Sequence, residues 1–156
     1  MSIKHKQHHN QHHPTLIPES NQANPHLQMF KEVVDNSSNP FAAGYQDGRI
    51  SYCNRAFEEL TGYSNLELRK ANWIDALVPA HMRGKEAAMF ERLSQSQSAT
   101  SFNQNLLRKD GTIVPIKYSV RQTHFSDAEC PLYYGFVSDI SREISLQEAL
   151  RFVSQG

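Results

Sequence analysis

Two Asp-Gly pairs constrain this chain more than any other feature. Asp47-Gly48 stands between "FAAGYQ" and "RISYC", and Asp110-Gly111 stands between "TSFNQNLLR" and "TIVPIKYSV". An Asp-Gly pair between short runs of β-favouring residues is the signal of an antiparallel hairpin. A chain with one such hairpin in each half is committed to an antiparallel sheet. The strand after the second turn alternates clearly, with Val114, Ile116, Tyr118 and Val120 on one face. The strand before it places Phe102, Gln104 and Leu106 together, and Gln104 breaks the apolar face. A third run, "PLYYGFVSDI", sets Tyr134 and Phe136 against Tyr133, Gly135 and Val137, so both of its faces are apolar.

Between and around the strands the period changes to that of helices. "HLQMFKEVVDN" spaces Leu27, Phe30 and Val34 along one stripe. Asn54 is a good N-cap for "RAFEELTG", and Gly62 suits its end. Ser64 with Glu67 has the form of a capping box. "NWIDALVPAHM" reads as a helical piece interrupted before Pro79, and a longer helix is expected from Pro79 to Ser94. "SREISLQEALRFVSQG" is helical, with Ser141 as cap and a seam of Leu146, Ala149, Leu150 and Val153. The order is helix, two strands, several short helices, three strands, helix. The expected fold class is α+β: a five-stranded antiparallel sheet with short helices on one face, flanked by N- and C-terminal helices.

Composition narrows the classes. The 156 residues suit one domain, and the 16 basic residues equal the 16 acidic ones, so nucleic acid is not indicated as a partner. Cys53 and Cys130 form neither a disulfide framework nor a CxxC site, which favours a cytoplasmic location. No apolar run approaches a membrane span, and the lysine-bearing N-terminus lacks a signal peptide's apolar core. Residues 1–25, rich in His, Gln and Asn, read as a disordered tail. His5, His8, His9, His12 and His13 would share a face if that tail were helical, and could then hold a transition metal. Residues 26–140 form the expected domain with its N-terminal helix, and residues 141–156 a signalling helix or linker.

Three stretches, "DGRISYCNRAFEELTGYS", "RKDGTIVPIKYSV" and "YYGFVSDIS", occur in an order and at a spacing that resemble a PAS domain. The resemblance covers about Leu27 to Ser141. It implies a sensory module whose interior pocket is lined by Phe41, Phe57, Trp73, Leu77, Met89, Phe90, Val114, Ile116, Tyr118 and Val120. Such an interior suits a small apolar ligand or a fatty acyl chain, with Tyr118 as a polar handle, or is packed solid without a ligand. The resemblance also implies that Asp139, Ser141 and Arg142 pass a signal from the sheet into the last helix. Asp139 would anchor that corner by hydrogen bonds or by pairing with Arg142.

The resemblance implies no particular cofactor. Trp73 stands where light-sensing flavin members carry their reactive cysteine. Glu86 aligns with the position of a haem-ligating histidine, and His81, about one turn earlier, is the remaining metal candidate, with His124 weaker. Asn72, Asn103 and Asn105 could meet the polar edge of a flavin bound without a covalent link. Catalytic signatures are missing, as are those of the diguanylate cyclase, kinase and helix-turn-helix domains that often follow PAS domains. The expected protein is not an enzyme. It is expected to be a homodimer that regulates a downstream effector through its last helix. The alternatives are a structural dimerisation module without ligand, or a haem or flavin sensor of redox state or gas.

Overall fold

A computed structural model describes residues 24–93, 95, 100–123 and 131–155. The chain divides at Val33/Val34, and the two parts are taken separately. Helix α1, Pro25–Asn36, lies largely in the first part. It begins one residue inside the segment read as tail, because Pro25 suits a first turn, where no N–H is needed. The Asn24 side chain accepts from His26 N and its carbonyl from Gln28 N, which sets that start.

The second part is built on one sheet of five antiparallel strands: β1 Phe41–Tyr45, β2 Ile50–Cys53, β3 Thr100–Leu107, β4 Ile113–Gln122 and β5 Leu132–Asp139. Their spatial order is β2-β1-β5-β4-β3. The two hairpins foreseen from the Asp-Gly pairs form the two wings, and β5 joins them. Gly48 and Gly111 carry positive φ angles of 94° and 87°, which an L side chain would resist. At Gly48 a Cβ would also meet Asn72 Oδ1 at 2.4 Å.

Between the wings run α2 Arg55–Thr61, α3 Asn65–Arg69, α4 Trp73–Leu77, a 3₁₀ turn Ala80–Met82 and α5 Arg83–Leu93. The caps of α2 and α3 are those read from the sequence; Asn72, not foreseen as a cap, starts α4, and α5 begins at Arg83 because the residues after Pro79 form the 3₁₀ turn. Asn54 Oδ1 accepts from Phe57 N at 3.0 Å, Ser64 accepts from Glu67 N, and Gly62 closes α2 at φ 80°. The inner sheet face and the short helices bury a single core around Phe57, Leu68, Leu77, Leu106, Ile116 and Val137. Helix α6, Ser141–Ser154, leaves the end of β5 and exposes Leu146, Leu150, Phe152 and Val153.

One cap differs from expectation. Ser141 is the first helical residue of α6, not its cap. Asp139 Oδ1 instead accepts from Ser141 N at 2.9 Å and Ser141 Oγ at 2.6 Å.

Candidate functional site

Asn54 does more than cap α2. Its Oδ1 also accepts from Phe41 N at 2.9 Å, while its Nδ2 donates to Val34 O and Asn39 O, each at 2.9 Å. One buried amide thus ties the entry to β1, the end of β2 and the start of the helices. The first hairpin turn is tied in the same way. Asn72 Nδ2 donates to Asp47 O at 2.8 Å, and Trp73 N donates to Gly48 O at 2.7 Å. That pair of bonds fixes Trp73 over the inner face of the sheet.

Inside this frame lies a cavity of about 60 Å³. Its walls include Ile50, Trp73, Phe90, Tyr118, Val120 and Tyr133. Space remains because β1 presents Ala42 and Gly44 to the interior, where larger residues would fill it. Gly44 has no alternative: a Cβ there would meet the Arg49 carbonyl at 2.6 Å, across the bulge between β1 and β2. Each water needs roughly 10–15 Å³ of such volume, so the cavity takes about four to six water-sized groups. Pockets for larger cofactors run to roughly 300–1,000 Å³. A haem or flavin would require this interior to open.

The ten residues foreseen as pocket lining separate into three groups. Trp73, Phe90, Tyr118 and Val120 border the cavity. Phe57, Leu77, Val114 and Ile116 are buried in the packed core, and Met89 packs against it. Phe41 stands on the opposite face of the sheet, with its ring against those of Tyr52, Tyr134 and Phe136 at 6.3, 6.3 and 5.2 Å. The run "FAAGY" has too little contrast between alternate positions to show which face is inward, and the register with β5 decides it: Phe41 pairs with Phe136.

The buried polar chemistry was not foreseen as a unit. Glu86 on α5 is 1% exposed. The Tyr118 hydroxyl lies 2.6 Å from Glu86 Oε1 and 2.7 Å from Gln104 Oε1. One phenolic proton cannot serve two acceptors. The row is satisfied when Glu86 carries a proton and donates to Tyr118, or when the Gln104 amide turns its NH₂ to the phenol. Burial pushes Glu86 above the usual carboxylate range, against the pull of the Tyr118 hydroxyl and the Trp73 indole. Burial, then the Glu86 charge, pushes the Tyr118 phenol far above its ordinary value. Glu86 Oε2 and Tyr133 Oη are buried with no hydrogen-bond partner among the described residues. The one sequence signal of this row is Gln104, the residue that breaks the apolar face of β3.

Other candidates fall outside the interior. His81 is exposed in the 3₁₀ turn, away from the cavity. Asn103 and Asn105 are exposed on the outward positions of β3, and Asn72 is engaged as a cap, so the three form no polar edge for a flavin. His124, Cys130 and the N-terminal histidines lie outside the described residues. Burial raises the Cys53 thiol to about 12, which makes it a poor nucleophile.

At the other end of β4 the sheet meets α6. Ile140 N donates to Pro115 O at 3.0 Å, and the Asp139 bonds to Ser141 start the helix. These bonds hold the Asp139 carboxyl below its usual range. No Asp139–Arg142 ion pair forms among the described residues; the bonds to Ser141 make the corner, with the Arg108 charge as a lesser contribution. Strand β4 therefore touches the cavity through Tyr118 and Val120 and the root of α6 through Pro115.

A five-stranded antiparallel sheet with short helices over one face and a partly open cavity between them defines an α+β domain. The family model described as PAS fold matches residues 28–140, and the chain belongs to the PAS family. Members of this family serve in general as sensory modules rather than catalysts. Among solved structures, the chain is similar to the PAS domain of a protein from Colwellia psychrerythraea, at 18% identity and TM-score 0.66, covering 74% of this chain and 98% of that one. It is similar to the PAS domain of an HTR-like protein from Haloarcula marismortui, at 16% identity and TM-score 0.65, covering 78% and 98%. It is also similar to a domain of a sensory box sensor histidine kinase/response regulator from Geobacter sulfurreducens, at 15% identity and TM-score 0.62, covering 76% and 99%. No protein with a curated description matches the sequence. No helix among the described residues is long and apolar enough to cross a membrane.

Proposed function

We propose that this domain is a cytoplasmic, homodimeric sensor that binds a small molecule in its interior and controls an effector through α6. The observation that carries the reading is the cavity beside β4, a strand whose other end roots the outgoing helix. A guest that moves Tyr118 moves β4, and β4 holds Ile140 through Pro115. The exposed seam of Leu146, Leu150 and Val153 on α6 is the surface on which a second copy would pair. The size of the cavity favours a compact guest over a fatty acyl chain.

The test is an absorption spectrum of the purified protein, followed by mass spectrometry of the supernatant after denaturation. A colourless protein that releases one small molecule in stoichiometric amount supports the reading. Haem or flavin bands would replace the guest with a coloured cofactor. Release of nothing, together with a dimer indifferent to added small molecules, would leave a structural dimerisation module.

A further inference from the structure

The row of Glu86, Tyr118 and Gln104 has one acceptor too many for a single proton. Side chains from α5, β4 and β3 meet there, with the Tyr118 hydroxyl 2.6 Å from Glu86 Oε1 and 2.7 Å from Gln104 Oε1. Both are ordinary lengths for O–H···O bonds. Two such bonds need two protons, and the phenol has one. A neutral Glu86 supplies the other: its carboxyl donates to Tyr118, and Tyr118 donates to Gln104. When Glu86 is ionised, Tyr118 must donate to the carboxylate instead. Gln104 Oε1 would then face a bare phenolic oxygen, so the amide has to turn and offer its NH₂. The two protonation states of one carboxyl correspond to opposite directions of the same row.

No neighbouring charge fixes that choice. On α5 itself Lys85, Glu91 and Arg92 are exposed, and Arg83 donates to the Val78 and Asp75 carbonyls. His81 in the 3₁₀ turn and Asp75 on α4 are exposed. Strand β3 has no charged residue, and Lys117 and Arg121 on β4 stand at exposed positions that alternate with its buried face. The side chains that act on Glu86 are the Tyr118 hydroxyl and the Trp73 indole, both neutral, and burial outweighs them. Glu86 is 1% exposed, and its Oε2 has no hydrogen-bond partner among the described residues. A neutral carboxyl tolerates such a place better than a carboxylate does.

Gln104 is placed to pass a change onward. It pairs across the sheet with Ile116, and Ile116 pairs on its other side with Asp139. Asp139 starts α6 through its bonds to Ser141. We propose that the domain senses protons as well as a guest. Glu86 is the proton site. Loss of its proton to solvent reverses the row, turns the Gln104 amide and is felt along the rung of Gln104, Ile116 and Asp139 at the root of α6. The device needs no occupant in the cavity, so it goes beyond the ligand-binding reading and is judged separately from it.

The test is a pH titration of the whole chain with no other addition. ¹⁵N labelling reads the Gln104 side-chain NH₂ and the Tyr118 and Ser141 amides, and ¹³C in the glutamate carboxyls reads Glu86. All four should move with one midpoint above the ordinary 4.5 of a glutamate, apart from Asp139, which is held below its ordinary 3.8. Glu86→Gln keeps a donor toward Tyr118 at every pH and should abolish the movement at Gln104 and Ser141. Tyr118→Phe should leave Glu86 titrating while Gln104 stays fixed. The dispersion of the same spectra reports whether each variant is folded. Should Glu86→Gln fail to fold, Tyr118→Phe, which removes a single oxygen, carries the test. A Glu86 midpoint at or below 4.5 would overturn the proposal. So would a Gln104 amide or a Ser141 amide that stays fixed while Glu86 titrates, or an unchanged Gln104 titration in either variant.

Discussion

Tyr133 and Tyr134 are neighbours in sequence and opposites in environment. Both border the cavity, but Tyr133 is 6% exposed, whereas Tyr134 is 37% exposed with its ring beside that of Phe41 on the open face of the sheet. The same contrast runs across β1, where Ala42 faces in and Phe41 faces out. The inner face couples its residues to helices, caps and a buried acid, so each position depends on several others. The outer face carries a cluster of aromatic rings, with Phe41 against Tyr52, Tyr134 and Phe136. The difference separates an interior of coupled side chains from a face of clustered rings.

The strongest way to break this contrast is Phe57→Ala. Phe57 is 0% exposed and its ring lies 5.6 Å from that of Trp73. The substitution should cost about 3–5 kcal/mol in urea unfolding, and a loss below about 1 kcal/mol would mean the core is looser than its packing implies. Asn54→Ala comes next. It removes the α2 cap and leaves Phe41 N without its acceptor, for an expected cost of about 2–3 kcal/mol. Asn54→Asp, which keeps the acceptor and loses the donor, should fall between the two proteins.

Glu86→Gln sharpens the comparison through pH. Burial raises Glu86 above its ordinary 4.5, so the folded chain holds this proton more tightly than the unfolded one. The associated stability is full below the unfolded value and is lost as pH rises through the folded one. Wild type should therefore lose ground to Glu86→Gln as pH climbs above the ordinary 4.5 in paired urea melts. A constant difference across that range would show that Glu86 does not titrate as a buried acid. The smallest effect belongs to the outer face. Phe136→Ala should change monomer stability by no more than about 0.5 kcal/mol, and a larger loss that grows with protein concentration would show a second copy seated there.

Local features were legible in the sequence because their causes are local. The Asp-Gly turns, the Asn54 and Ser64 caps and the Gly62 terminus each depend on a few adjacent residues. The alternation of Val114, Ile116, Tyr118 and Val120 gave the inner face of β4 for the same reason. The face of Phe41 was not legible, since a one-residue change of phase exchanges both faces and "FAAGY" lacks polar contrast. The polar row was hidden by distance along the chain: Tyr118 and Glu86 are 32 residues apart and meet only when α5 packs over β4. Gln104 was the visible clue, a polar residue on an apolar face that only a buried partner explains. For Asp139 the sequence left hydrogen bonds or pairing with Arg142 open; the carboxylate accepts from Ser141, because the first turn of α6 presents unpaired N–H groups to it.

The central claim is that occupation of the interior is felt at the root of α6. The most direct measurement is an amide spectrum of ¹⁵N-labelled wild type and Asp139→Ala, each titrated with the low-molecular-weight fraction of a cell extract. In wild type, Tyr118 and Tyr133 should move together with Ser141 and Ile144. In Asp139→Ala the interior amides should still move while those of α6 stay fixed. Movement confined to Tyr134, Phe136 and α6, with the interior silent, would contradict the account and make the open face the receptor instead.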